Sequence, residues 1–166
     1  MGEEPEPLLE SVVLTKDHNV SDKQLTRLEA WPEILADVIK GMKDIPFQYG
    51  EHDCCMFGAN VVLELTGVDL ASKLRTYTTE KGAYKTIKKN GGTFTKMIDA
   101  IMKEHGCKPV KRAYCRRGDL VIAMVMTESG KKERALGVCL GAEAAFASDG
   151  IQTKPMTEII RGWHCG

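Results

Sequence analysis

Gly50-Glu51-His52-Asp53-Cys54-Cys55-Met56-Phe57-Gly58-Ala59-Asn60-Val61-Val62-Leu63-Glu64-Leu65-Thr66-Gly67 is the stretch on which the fold turns. Asp53 is a good N-cap, because a short side-chain oxygen can accept from the unpaired N–H groups of a first helical turn. From Cys54 to Leu65 the residues are mostly small or apolar, which predicts a helix buried on most sides, and Thr66-Gly67 ends it. A helix start carries partial positive charge, and a thiol is a useful nucleophile only as thiolate. Cys54 follows the cap directly, where that field predicts a lowered thiol pKa, so it is the candidate nucleophile. The plainer use of Cys54 and Cys55 is as small core residues, the usual place of free cysteines.

Upstream, Leu25 to Met42 reads as helix, with Ile34, Leu35, Val38, Ile39 and Met42 on one face and Pro32 suited to a first turn. Gly41 and Pro46 mark its exit. Downstream, the pattern predicts a helix from Thr79 to Lys89, stopped by Asn90-Gly91-Gly92. A second runs from Thr93, carrying Phe94, Met97, Ile98, Ile101 and Met102, to about Gly106. The lysines at 81, 85, 88 and 89 fall on one solvated helix face. After Pro109 the character changes. Arg117-Gly118-Asp119 reads as a turn before an apolar strand, Leu120 to Met126. Glu128 to Lys132 reads as a hairpin loop, Ala135 to Leu140 as a second strand, and Ala144 to Ala147 as a third, closed by Ser148-Asp149-Gly150. The chain ends in Trp163-His164-Cys165-Gly166. Helices first and a small antiparallel sheet afterwards predict one α+β domain over residues 24–166. Residues 1–23, rich in Pro and Glu at the start, read as a flexible or partner-dependent arm, with a short strand available at Val12-Val13-Leu14.

The 166 residues suit a single domain and can bury a core without staples. Lys plus Arg total 23 and Asp plus Glu total 23. That balance speaks against a dedicated nucleic-acid surface, which rests on cationic side chains. No apolar run has the length of a membrane span. The acidic start lacks the basic and then apolar regions of a secretory signal, so synthesis and folding in the cytoplasm are expected. Reduced thiols are the expectation for the six cysteines, 54, 55, 107, 115, 139 and 165. None is spaced C-x-x-C, which argues against a zinc ribbon.

Phe47-Gln48-Tyr49-Gly50, Asp53-Cys54, the small-residue helix and Thr66-Gly67-Val68-Asp69 together resemble the first half of the NlpC-type papain-like cysteine peptidase fold. Arg117-Gly118-Asp119-Leu120-Val121 resembles that fold's first core strand, and Ala135-Leu136-Gly137-Val138-Cys139-Leu140-Gly141 its second. From about Leu25 to Trp163 the chain also resembles an uncharacterised family encoded among phage and prophage tail genes. The shared features are the Trp31-Pro32 helix, His52-Asp53-Cys54-Cys55, the Arg-Gly-Asp strand, the Ala-Leu-Gly-Val-Cys strand and the terminal Trp163. Their joint occurrence is specific where each alone is weak.

The resemblance implies a catalytic histidine where this chain has Ala135, and a polar residue orienting it where this chain has Ala145-Phe146-Ala147. Nucleophilic catalysis needs a base within hydrogen-bond reach and a third group orienting that base. His52, two residues before Cys54, either folds back over the thiol or caps the helix start. His164 either packs across the sheet near the helix start or belongs to the tail. His18 lies in the arm and His105 at a helix end. Three readings follow. The first is a phage tail-tip or baseplate component with a degenerate, inactive peptidase-like fold, structural in tail assembly or host-wall engagement, with other tail proteins and peptidoglycan as partners. The second is an active peptidase or amidase on peptidoglycan peptides, with Cys54 as nucleophile, Asp53 as support and His52 or His164 as base. The third is an iron–sulfur or zinc site using Cys107, Cys115 or Cys165 with neighbouring tail proteins.

Overall fold

The computed structural model describes residues 25–127 and 129–166. The expected arm over residues 1–23 and its strand at Val12-Val13-Leu14 lie outside the described residues. Within them, four helices precede a six-stranded antiparallel sheet, so the α+β expectation holds. The helices are α1 (Trp31–Met42), α2 (Met56–Thr66), α3 (Glu80–Lys89) and α4 (Phe94–Glu104). The strands are β1 (Lys108–Val110), β2 (Leu120–Met126), β3 (Lys132–Cys139), β4 (Glu143–Ser148), β5 (Gly150–Pro155) and β6 (Arg161–His164). They lie in the order β1-β6-β2-β3-β4-β5.

Helix α1 does not begin at Leu25 as its pattern predicts; it begins at Trp31, with Pro32 in its first turn. Residues 25–30 are drawn elsewhere. The Leu28 N–H donates to the Leu65 carbonyl at the end of α2, and the Arg27 guanidinium reaches Asp119 before β2. Helix α2 is buried nearly all round, as its composition predicts. It stops where Gly67 adopts φ 82°, a left-handed conformation that glycine takes at little steric cost. Thr79 and Thr93 cap α3 and α4 through their hydroxyls, which accept from the Gly82 and Lys96 N–H groups.

One face of the sheet packs on the helices. Leu120, Ile122, Leu136, Val138 and Trp163 join Leu35, Phe57, Leu65 and Met97 in the main core. Burying each large side chain contributes about 1.5–3 kcal/mol. The other face is lined by smaller residues: Val121, Ala123, Ala135, Cys139 and Ala144, with Phe146 as the bulky exception. The connection from β5 to β6 passes over this face and sets Met156 and Ile159 on it.

Strands β3 and β4 pair only through Val138↔Ala145 and Cys139↔Ala144. Beyond that they part, and the start of α2 fills the gap: the Leu136 N–H, which would otherwise face Ala147, donates to the Cys54 carbonyl at 2.7 Å. Gly58 lets the helix approach closely, since a Cβ there would meet Leu136 Cγ at 2.7 Å. This wedge positions the cysteine.

Candidate functional site

Asp53 caps α2 from ahead of its first regular turn. Its Oδ1 accepts from the Cys55 and Met56 N–H groups at 2.9 and 2.8 Å, and its carbonyl accepts from the Phe57 N–H. Its Oδ2 accepts from the Gly50 N–H and the Tyr77 hydroxyl, both at 2.7 Å. A buried carboxylate loses several kcal/mol of hydration; four donors offset it, each hydrogen bond to a charged group being worth about 1.5–3 kcal/mol. Asp53 thus supplies the capping oxygen the sequence predicts, but α2 begins at Met56 rather than at Cys54, so Cys54 lies in the turn ahead of the helix. Tyr77, the partner that completes it, belongs to no pattern that could have announced it.

Cys54 is half-buried at the end of a cleft of about 200 Å³. Tyr49, Glu80, Glu133 and Gln152 are polar lining residues; Phe47 and Val125 are apolar ones. The Tyr84 hydroxyl bridges Glu133 on β3 and Glu80 on α3. The titratable side chains beside Cys54 are acids, and no basic side chain lines the cleft among the described residues. Burial first, and then the charges of Asp53, Cys55 and Glu133, push the Cys54 thiol well above its ordinary pKa. The expected lowering by the helix start is therefore overturned. Burial and the same kind of neighbours raise Tyr49 to about 12, and burial together with Asp53 raises Cys55 to about 12.

Neither expected base faces this cleft. His52 is buried, stacks edge-on against Phe57 and donates from Nε2 to the Gly150 carbonyl at 2.7 Å. It neither covers the thiol nor caps the helix; it ties the segment leading into α2 to the β4–β5 turn. His164 lies on β6, its Nδ1 2.7 Å from Asp119 Oδ2. It is no loose tail residue, and it does not line the cleft that holds Cys54. Asp119 is wholly buried and also accepts from Arg27 Nη2 at 3.1 Å and the Arg116 N–H at 2.7 Å. The turn expected at Arg117-Gly118-Asp119 therefore also carries a buried ionic cluster, which a turn signal alone cannot reveal. Ala135, where the resemblance implies a histidine, is 1% exposed and faces Ala123 across the β2–β3 ladder.

Cys115 packs beside Gly162, where a Cβ would come within 2.6 Å of its Sγ. Burial, then Asp119 and Cys139, raise its thiol to about 11. Cys107 and Cys165 sit elsewhere, together in the main core. Among the described residues no group of three or more His, Cys, Asp or Glu side chains is placed to hold a metal ion. No helix among them is long and apolar enough to cross a membrane. Residues 26–165 match a family model described as a domain of unknown function, DUF6950. No curated protein matches the chain.

Proposed function

For a chain that belongs to the DUF6950 family, whose description assigns no activity, we propose a non-catalytic role as a phage tail-tip or baseplate component. Its scaffold in this reading is papain-like, retains Cys54 and lacks the base. The observation that carries the inactive reading is the setting of Cys54: a thiol kept protonated by burial and acidic neighbours, in a cleft lined by Tyr49, Glu80 and Glu133. A nucleophile there needs a proton acceptor to make the thiolate. Among the described histidines, His52 is engaged by Gly150, His164 by Asp119 and His105 by Ile101. The papain-like reading is supported by the Cys54 turn and the buried helix that follows it, wedged against β3. The tail reading is supported by the joint motifs from Trp31-Pro32 to Trp163. Synthesis in the host cytoplasm, incorporation into the virion tail, and contacts with other tail proteins or peptidoglycan follow from that reading.

The test has two arms. Purified chain incubated with peptidoglycan peptides should release no products, and its Cys54 should be alkylated by iodoacetamide at pH 7.5 at least about tenfold more slowly than free cysteine. Turnover that disappears in Cys54→Ala would overturn the inactive reading in favour of the peptidase. In the second arm, particles from an induced lysogen carrying the gene are fractionated. The chain should co-purify with tails, and its absence from them would overturn the tail reading.

A further inference from the structure

We propose that Cys107 and Cys165 are a redox couple whose closure to a disulfide staples the chain's last residues to the start of β1. The register places them. Strands β1 and β6 pair Lys108↔His164, Pro109↔Trp163 and Val110↔Gly162. One step further sets Cys107 opposite Cys165, with both side chains on the same face. Directly opposed residues of an antiparallel pair have Cα atoms about 4.5–5.5 Å apart, within the roughly 4.4–6.8 Å that a disulfide spans. Both thiols lie in the main core, 5% and 1% exposed. The Cys165 Sγ also lies 3.9 Å from Met102 Sδ, and Cys107 is the neighbour with the largest effect on the Cys165 thiol. Both cysteines are reduced in this structure.

The backbone on each side is already held. The Cys107 N–H donates to the Met102 carbonyl at the end of α4. The Cys165 carbonyl accepts from Arg27 Nε at 3.2 Å. Closure therefore needs side-chain adjustment rather than rearrangement of the strands. Burial slows attack in the folded chain, so the reaction runs when the short edge strand β1 opens, or during folding. The oxidant is a low-molecular-weight disulfide such as glutathione disulfide. The thiolate of one cysteine attacks it, forming a mixed disulfide and releasing one glutathione thiolate. The second cysteine's thiolate then attacks the protein sulfur of that mixed disulfide and releases the other. The two protein thiols give up two electrons and two protons, and the oxidant leaves as two thiols. The loop so closed contains the whole sheet. Such a staple suits a protein that folds in a reducing cell and works outside it.

The reduced, unfolded full-length chain is refolded with glutathione and its disulfide at pH 8, quenched with acid and digested with trypsin without reductant. The expected product is peptide Glu104–Lys111 joined to Gly162–Gly166, about 2 Da lighter than the sum of the two, with two thiols lost per chain. The oxidised chain should melt on the order of 10 °C above the reduced one. The link and the melting difference should vanish in Cys107→Ser and persist in Cys115→Ala. A chain that refolds with all thiols free, or that links Cys115 to Cys139 instead, overturns the proposal. A Cys107–Cys165 link with no rise in melting temperature overturns its role as a staple. The comparison of oxidised with reduced wild-type chain decides the matter even where Cys107→Ser fails to fold.

Discussion

Asp53 holds together what Cys54 stands on. One carboxylate closes the start of α2, fixes the Gly50 turn and anchors the Tyr77 hydroxyl. Asp53→Ala leaves buried donors without an acceptor, each costing about 1–3 kcal/mol. The variant should lose at least about 3 kcal/mol by urea denaturation, where Tyr77→Phe loses about 1 kcal/mol. Equal losses in the two would show that the carboxylate is not the hub. The residue scale also shows why the reactive-thiol expectation fails. A charge at a helix terminus is typically worth 0.3–1 kcal/mol, less than one pKa unit at 1.36 kcal/mol. Burial at its fullest shifts a pKa by up to about 3–5 units, so even the partial cover of Cys54 outweighs the helix start. The cap and the small-residue helix are legible in Asp53 and its successors; how deeply the thiol is covered depends on β3 and β4, which are distant in sequence.

At the scale of elements, the contact of β3 with α2 and β4 decides the geometry of the cleft. Gly137 has no room for a side chain: a Cβ would lie 2.2 Å from the Ala145 carbonyl oxygen and 2.5 Å from the Phe146 ring. Gly137→Ala must push β3 and β4 apart, and a loss of about 3 kcal/mol or failure to fold is expected. Gly58→Ala meets side chains rather than strand backbone, Leu136 most closely and Leu120 at 3.4 Å, so it should cost less. A thermal melt of both variants checks the order, and a milder Gly137→Ala would contradict it. The strands β2, β3 and β4 are legible because each carries an apolar run bounded by turn residues. Strand β5, Gly150–Pro155, is not, because it is largely half-exposed and has no apolar run. Strand β1 escapes notice for another reason: it is three residues long with Pro109 at its centre, tolerated because β1 lies at the sheet edge. The early part of the expected first helix fails because Arg27 is committed to the carbonyls of Arg117 and Cys165 and to Asp119.

The whole molecule carries a shared alkaline liability. Burial raises Cys54, Cys55, Cys115, Cys139 and Tyr77 above their ordinary values. In the unfolded chain thiols titrate near 9.0; in the folded chain Cys55 and Cys115 wait until about 12 and 11. Above pH 9 the unfolded state therefore binds fewer protons, so stability falls as pH rises. Each such group contributes up to about 1.36 kcal/mol per pH unit. The urea midpoint should stay level from pH 7 to about 8.5 and drop by several kcal/mol equivalent toward pH 11. A profile that is flat or rising across that range would contradict these buried thiols.

The Ala123–Ala135 pair limits what can be installed beside Cys54. Each residue is 1% exposed or less, and Cys54 packs against the cluster that holds them. An imidazole introduced at position 135 would enter a space already occupied, and its two nitrogens would meet an apolar surface. Overpacking of this kind costs about 1–3 kcal/mol, and a buried polar group without a partner adds as much again. A first mutational step toward a base for Cys54 would thus be destabilising before it could be useful. The packing around Ala135 therefore resists the arrival of a base beside Cys54 from that strand position.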